Sequence, residues 1–101
     1  MAQLTPRHLV VLIAEEAIES RLTEDAMRLG AHGYSVCEVR GQGSRGVRSG
    51  EWEAAKTVRI EILCHEPVAQ AIIDHVAAHY FRHYAVVAYV LEVGVLRGEK
   101  F

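Results

Sequence analysis

The sequence predicts an α+β fold of the ferredoxin-like type, with a four-stranded antiparallel sheet and two helices on one of its faces. Three observations predict it. Four extended apolar segments and two segments with helical spacing follow one another in the order βαββαβ. Right-handed crossovers place both helices of this order on the same face. A length of 101 residues is that of one domain, which we expect to span residues 1–101.

The first half of the chain predicts a strand, a helix and a second strand. Residues 8–13 form a nearly unbroken apolar run, which is typical of a strand that is covered on both faces. Apolar residues then recur at helical spacing: Ile18, Leu22, Ala26 and Leu29. Gly30 and Gly33 end this helix, since glycine enters the left-handed conformation without a Cβ clash. Residues 34–40 follow as the second strand.

The second half predicts a strand, a helix and a last strand. Residues 57–63 alternate strictly between polar and apolar. Pro67 suits the first turn of a helix, whose apolar face holds Val68, Ala69, Ile72, Ile73, Val76, Ala77 and Tyr80. The last strand, from near Ala85 to about Leu96, is too apolar to have one face in water. We therefore expect other copies of the chain to cover the sheet face without helices.

Composition excludes several classes of protein. The 11 basic and 13 acidic residues leave a net charge of −2, so we expect no nucleic-acid partner. With no signal peptide and no apolar run near the roughly 20 residues of a membrane helix, a cytoplasmic location is expected. Cys37 and Cys64 form no CxxC pair, and we expect small buried side chains rather than a disulfide or metal site.

One short segment carries charge of the opposite sign to the rest of the chain. Residues 40–48 contain three arginines, three glycines and no acid, hence +3, whereas the other 92 residues carry 8 basic and 13 acidic side chains, hence −5. Glycines let backbone N–H groups approach oxygen atoms, and guanidinium groups bind phosphate or carboxylate with two hydrogen bonds. The segment indicates either an anion site or a solvated hairpin loop.

The sequence around this segment resembles that of the PII signalling proteins. Residues 33–43, GYSVCEVRGQG, are similar to the segment that leads into their T-loop, and residues 57–62, TVRIEI, to the strand that leaves it. Residues 43–45 (GSR), 47–50 (VRSG), and 80–81 (YF) followed by 84–85 (YA) resemble more closely the PII-like branch tied to inorganic-carbon acquisition. Without a cysteine-bearing tail, the chain is most similar to the carboxysome-associated members of that branch.

This resemblance implies a signalling protein rather than an enzyme. It implies a homotrimer with an adenine nucleotide, ADP or AMP, in each cleft between subunits, together with bicarbonate and without a cofactor. The T-loop, about residues 41–56, would report the ligand state by its order and so regulate inorganic-carbon uptake. A regulator of a bicarbonate transporter that binds cyclic AMP or AMP is the alternative within the family.

The resemblance also implies roles for individual residues. Ser35, Glu61 and Leu63 would lie near the adenine or ribose, and Gly41, Gly43, Ser44, Arg45 and Arg48 near the phosphates. Arg97 matches an arginine that reaches the phosphates from the neighbouring subunit. Because bicarbonate beside a diphosphate needs shared cations, Arg45 and Arg48 are also the expected bicarbonate ligands. The glycine-rich loop before the last strand of PII proteins is replaced here by residues 82–85, RHYA, so no complete triphosphate clamp is expected.

Other readings remain at individual positions. Trp52 in the loop would contact a protein partner, such as a bicarbonate transporter or another membrane transport protein, or would pack locally. His75, His79 and His83 have the spacing of metal ligands, but boundary positions of an amphipathic helix are favoured and no metal is expected. A ferredoxin-like hydrolase with an arginine anion cradle is the alternative from another class, although the loop offers no evident group to activate water. An RNA-binding domain would need aromatic residues that the third strand lacks.

Overall fold

The computed structural model describes residues 1–40 and 56–101. Its four strands form one antiparallel sheet in the order β2-β3-β1-β4. The strands are β1 (Thr5–Glu15), β2 (Ser35–Val39), β3 (Thr57–Cys64) and β4 (Val87–Val95). The helices α1 (Glu19–Arg28) and α2 (Glu66–His79) follow β1 and β3. The predicted ferredoxin-like order is confirmed.

Two strands differ from their predicted bounds for identifiable reasons. β1 extends beyond residues 8–13 because it lies in the middle of the sheet and pairs with β3 and β4 along most of its length. β4 begins at Val87 rather than near Ala85. The Val86 N–H donates to the Tyr84 carbonyl at 3.0 Å, and the Tyr84 N–H donates to the Tyr80 carbonyl at 2.9 Å, so these residues form a turn.

Both helices pack on the same face of the sheet and share one core with it. The strands contribute the buried residues Val10, Leu12, Ala14, Val58, Ile60, Ile62 and Cys64, the helices contribute Leu22, Ala26, Ala69, Ile72 and Val76, and Tyr80 directly follows α2. The sequence predicted that Ala77 belongs to the apolar face of α2, but Ala77 is exposed and this prediction is wrong. Gly30 has φ +119°, which confirms that it ends α1 through a conformation that other residues rarely adopt.

The opposite face of the sheet, here called the open face, is formed by the side chains that point away from the helices. They include Arg7, Leu9, Val11, Ile13, Ser35, Cys37, Val39, Thr57, Arg59, Glu61, Leu63, Val87, Tyr89, Leu91 and Val93. Val11 in the centre is fully buried even here, whereas Leu9 and Ile13 on either side of it are partly exposed, so the coverage of β1 on this face stays a prediction. At the β4 edge, Val87, Tyr89 and Leu91 are 53%, 38% and 45% exposed. An apolar surface of this kind is typical of an interface.

Two further expectations concern the cysteines and membrane insertion. Cys64 is buried, but Cys37 is exposed on the edge strand β2, so the prediction of a buried side chain is wrong for Cys37. An edge strand has a neighbour on one side only, and Cys37 lies on its open-face side. Among the residues described, none of the helices is long and apolar enough to span a bilayer.

Candidate functional site

Three residues that were expected near an adenine or ribose lie together on the open face. Ser35 and Glu61 are direct partners in the β2–β3 ladder. Leu63 is two residues further along β3, and since side chains alternate along a strand, it points to the same side as Glu61. The β2–β3 register therefore brings a hydroxyl, a carboxylate and an apolar side chain onto one patch.

Arg59 belongs to this patch, although the sequence reasoning did not select it. Its Nε lies 3.0 Å from Glu61 Oε2, and the two side chains are 37% and 40% exposed. Arg59 Nε is nevertheless buried without a hydrogen-bond acceptor in good geometry among the described residues. The ion pair thus orients the Glu61 carboxylate but leaves a donor unsatisfied. The strict alternation of residues 57–63 was the signal that could have identified Arg59, because it puts Arg59 and Glu61 on one face.

The loop that follows β2 connects the adjoining ends of β2 and β3. Val39 and Thr57 are the last partners of β2 and β3 before it. Two contacts hold Lys56 at the end of this loop. Lys56 Nζ lies 3.2 Å from Glu38 Oε1, and the Glu16 N–H donates to the Lys56 carbonyl at 2.9 Å. The hydrogen bond to Glu38 and its negative charge raise the pKa of Lys56. The base of the loop is therefore held by Glu38 of β2 and by the turn before α1.

The remaining loop positions of the predicted site lie outside the described residues. They are Gly41, Gly43, Ser44, Arg45, Arg48 and Trp52. The base of the loop and the Ser35–Glu61 pair nevertheless lie along the same strand, β3. Glu61 is four residues from Thr57, a distance of about 13 Å along an extended strand. An elongated ligand with an anionic end at the loop and a polar ring system at Glu61 would follow this strand.

Arg97 lies at the other end of the sheet from the loop. It follows β4, whose last residue, Val95, pairs with Thr5 at the start of β1. The first residue of β4, Val87, pairs with Ile13 near the end of β1. The loop lies at this second end, because Glu15 pairs with Thr57 there. The nine residues of β4 span about 27 Å. The Arg97 side chain is too short to cover this distance. Arg97 and the loop base of one chain therefore do not form one phosphate site.

A second polar cluster lies between the helices, away from the open face. Asp25 on α1 accepts hydrogen bonds from Tyr80, from His75 at 2.9 Å and from Arg28 at 2.9 Å. An adjoining depression of about 230 Å³ is lined by Arg21, Glu24, Asp25, His75, His79 and Tyr80. Although the rings of His75 and His79 lie 4.4 Å apart, the described residues contain no group of three or more potential ligands placed to hold a metal ion. This cluster joins the two helices and shares no residue with the predicted nucleotide site.

Burial and hydrogen bonding shift two pKa values in this cluster. Burial of the Asp25 carboxyl opposes ionisation, but the hydrogen bonds from Tyr80, His75 and Arg28 outweigh it and lower the pKa of Asp25. Burial, together with the hydrogen bond to Asp25 and its charge, raises the pKa of Tyr80 to about 12. The sequence reasoning missed the Asp25–Tyr80 contact because 55 residues separate the two positions.

Comparison with known proteins identifies the family. The family model described as nitrogen regulatory protein P-II matches residues 7–100. A Thermus thermophilus protein named as a PII-like signalling protein is 47% identical, over 98% of each chain, with a TM-score of 0.84. CPII of Thiomonas intermedia, a nitrogen regulatory PII-like protein solved with ADP, AMP and bicarbonate, is 23% identical over 100% of this chain and 98% of its own, with a TM-score of 0.87. Its structure with ADP and bicarbonate gives 24% identity, 100% and 99% coverage, and a TM-score of 0.86.

These comparisons agree with the observed topology. The CPII structures, at less than 25% identity, share the fold, whereas the sequence similarity to the family model and to the Thermus protein extends along almost the entire chain. The chain belongs to the P-II family and is a PII-like signalling protein.

Proposed function

We propose that this protein is a homotrimeric regulator that binds ADP or AMP together with bicarbonate in the clefts between subunits. It acts without catalysis, in the cytoplasm, and the order of its T-loop signals the ligand state to the machinery of inorganic-carbon uptake. In this proposal Ser35, Glu61 and Leu63 contact the adenine and ribose. The phosphate contacts come from Gly41, Gly43, Ser44, Arg45 and Arg48 and from Arg97 of a neighbouring subunit.

The observation that carries the proposal is the pairing of Ser35 with Glu61 on the strands that enter and leave the loop. Polar groups on these two strands lie in line with the loop base, where the segment of charge +3 begins. A nucleotide has the same arrangement, with an uncharged base and sugar at one end and phosphates at the other. The strand geometry therefore suits a nucleotide better than a compact anion.

The position of Arg97 supports association with another chain. Because about 27 Å of β4 separates Arg97 from the end of the sheet that carries the loop, a phosphate bound at the loop can meet an arginine of this segment only from another chain. The exposed apolar side chains of Val87, Tyr89 and Leu91 provide a surface for such association. The structures of CPII with ADP, AMP and bicarbonate support this choice of ligands, since they have the same fold.

Bicarbonate and nucleotide are expected to promote each other's binding. Each would contact the loop, and the first ligand to order the loop would reduce the ordering cost that the second one meets. The two anions repel each other unless cations lie between them. Arg45 and Arg48 are the arginines in the loop that can fill this role.

The test is a calorimetric titration of the full chain with ADP, AMP, cyclic AMP and ATP, each with and without bicarbonate. We expect ADP or AMP to bind, with higher affinity in the presence of bicarbonate. Chloride at the same ionic strength is the control, because it separates a specific effect from screening. Failure of all four nucleotides to bind would contradict the proposal. Tighter binding of cyclic AMP than of ADP, without an effect of bicarbonate, would instead favour the alternative regulator.

Partner binding is proposed to occur through the T-loop, with Trp52 as the anchoring side chain. A tryptophan between two glutamates combines a large apolar contact with charged flanks, as is common where a loop meets a protein pocket. A bicarbonate transporter or another membrane transport protein is the expected partner. Since Trp52 is the one tryptophan in the chain, its fluorescence reports this contact directly. Emission that changes with neither nucleotide nor a membrane fraction carrying the transporter would argue against it.

A further inference from the structure

Arg97 has a backbone conformation that needs support from its surroundings. With φ 56° and ψ 52°, it is the one non-glycine residue with positive φ among the described residues. The left-handed region is unfavourable for a residue that carries a Cβ, which approaches a carbonyl oxygen there. Such a conformation persists only where neighbouring contacts fix it. Arg97 is exposed, and since the backbone conformation fixes the direction in which a side chain leaves the chain, whatever stabilises this conformation also constrains that side chain.

The first contact that fixes this conformation is made by Gly98. Gly98 is buried against Thr5 at the start of β1, where an added Cβ would lie 2.7 Å from Thr5 Cβ. Only glycine fits a gap of this size without displacing the backbone. Residues 98–100 form a short 3-10 turn that starts from Arg97, with the Lys100 N–H donating to the Arg97 carbonyl at 3.1 Å.

The second contact is made by Arg7. Its Nη2 donates to the Gly98 carbonyl at 2.7 Å, and its Nε donates to the Phe101 carbonyl at 3.4 Å. Its Nη1 donates to the carbonyl of Pro6 at 2.8 Å, which fixes the guanidinium against its own strand. The plane of the guanidinium therefore connects β1 to both ends of the C-terminal turn. A lysine has a single nitrogen and cannot reproduce this set of bonds.

We propose that Arg7 is a positioning residue for nucleotide binding. By holding the Gly98 carbonyl, it keeps Arg97 in the left-handed conformation that aims its guanidinium at the phosphates of a nucleotide bound to the neighbouring subunit. This inference rests on the proposed function. Arg7 itself does not touch the nucleotide, and the partner copy supplies Arg97 to each site.

The test compares ADP with adenosine, which lacks phosphates, on the full-length trimer. Arg7→Ala and Arg97→Ala are each expected to weaken ADP binding by about 10- to 100-fold, the effect of one charge-assisted hydrogen bond. Adenosine affinity is measured by the displacement of a fluorescent ADP analogue and is corrected for the affinity of the analogue for each variant. Neither substitution is expected to change adenosine affinity. The double variant is expected to bind ADP no more weakly than Arg97→Ala, because both changes remove the same interaction. Arg7→Lys is expected to recover little of the loss.

Two further variants keep the proposal open to contradiction. Gly98→Ala displaces the same turn from the Thr5 side while Arg7 is kept, and it is expected to show the same loss restricted to ADP; it decides alone if Arg7→Ala does not fold. Arg28→Ala removes one positive charge from α1 and is expected to bind ADP as the wild type does. Equal losses for ADP and adenosine, additive losses in the double variant, or an Arg97→Ala protein that binds ADP normally would overturn the inference. In the last case ADP binding by the wild type would still support the proposed function apart from its Arg97 contact, whereas a wild type that binds no nucleotide refutes the function itself.

Discussion

The Tyr80 hydroxyl donates a hydrogen bond to Asp25 Oδ2, which joins the residue after α2 to the middle of α1. The same carboxylate accepts from His75 and Arg28. Because Tyr80 is only 2% exposed, its hydroxyl depends on this partner in place of water. The contact therefore secures the helix layer against which the sheet is packed.

Replacement of Asp25 by asparagine should reduce stability in a pH-dependent manner. The hydrogen bonds from Tyr80, His75 and Arg28 give the folded state a lower pKa for Asp25 than the ordinary value of 3.8. The stabilisation is thus present above pH 4 and is lost as the pH falls through the lower pKa of the folded state. We expect Asp25→Asn to lower the free energy of unfolding by about 2 kcal/mol at pH 7. Urea unfolding at fixed protein concentration should show this difference shrinking towards pH 2, and a constant difference would contradict the assignment.

The raised pKa of Tyr80 predicts that the folded protein loses stability at alkaline pH. Burial and the bond to Asp25 raise the pKa of Tyr80 in the folded state from 10.0 to about 12. The folded state therefore holds this proton more tightly, and the resulting stability is complete below pH 10 and lost as the pH rises towards 12. The wild type should lose roughly 2 to 3 kcal/mol over this range from this group. Tyr80→Phe should lack this component, whereas Tyr84→Phe, which removes a hydroxyl bonded to Arg21, should keep it.

The order of elements was predictable from the sequence because each depends on local patterns. Pro67 near the start of α2 and Gly30 after α1 act through backbone geometry that any fold would respect. The apolar run at residues 8–13 predicted a strand, and β1 contains all of these residues. The length of β1 was not predictable in this way, since it depends on two neighbouring strands that offer hydrogen bonds.

The candidate site was predictable only in part, because contacts between side chains depend on strand register and on residues that are far apart in the sequence. The resemblance selected Ser35 and Glu61, but their direct pairing needed the β2–β3 register. The contact of Arg7 with the Gly98 carbonyl joins positions that are 91 residues apart. Cys37 was expected to be buried because of its apolar neighbours, yet its strand is at the edge of the sheet. Local patterns do not report which strand lies at an edge.

The open face should be the surface through which chains associate. Leu91 points to this face opposite Leu9, whereas Val90 points to the helix side of the same strand opposite Val10. Their exposures are similar, at 45% and 40%, which makes them a matched pair. Leu91→Glu should bury a charge in the interface and yield a single-chain mass of 11.2 kDa by light scattering at micromolar concentration. Val90→Glu should retain the trimer. A monomeric wild type, or equal effects of the two changes, would contradict this assignment.

Glu61 should contribute to nucleotide affinity through the ribose. Its side-chain oxygens lie on the open face and can accept hydrogen bonds from both ribose hydroxyls. Glu61→Gln should weaken ADP binding by about tenfold, as expected for the loss of a charge-assisted hydrogen bond. Glu92→Gln on the helix side of β4 removes the same charge and should have little effect in the same calorimetric titration. Tighter ADP binding by Glu61→Gln would mean that the carboxylate repels the phosphates, and its assignment to the ribose would be wrong.

Arg45 should couple the two ligands. In the proposed arrangement its guanidinium lies between bicarbonate and the nucleotide phosphates, so that it offsets the repulsion between two anions. Arg45→Ala should weaken ADP binding in the presence of bicarbonate and remove the dependence of ADP affinity on bicarbonate. By reciprocity, ADP should also cease to increase bicarbonate affinity. Arg82→Ala, in the segment before β4, provides a comparison in which the coupling should persist. Calorimetric titrations of Arg45→Ala that match those of the wild type with and without bicarbonate would exclude Arg45 from both sites.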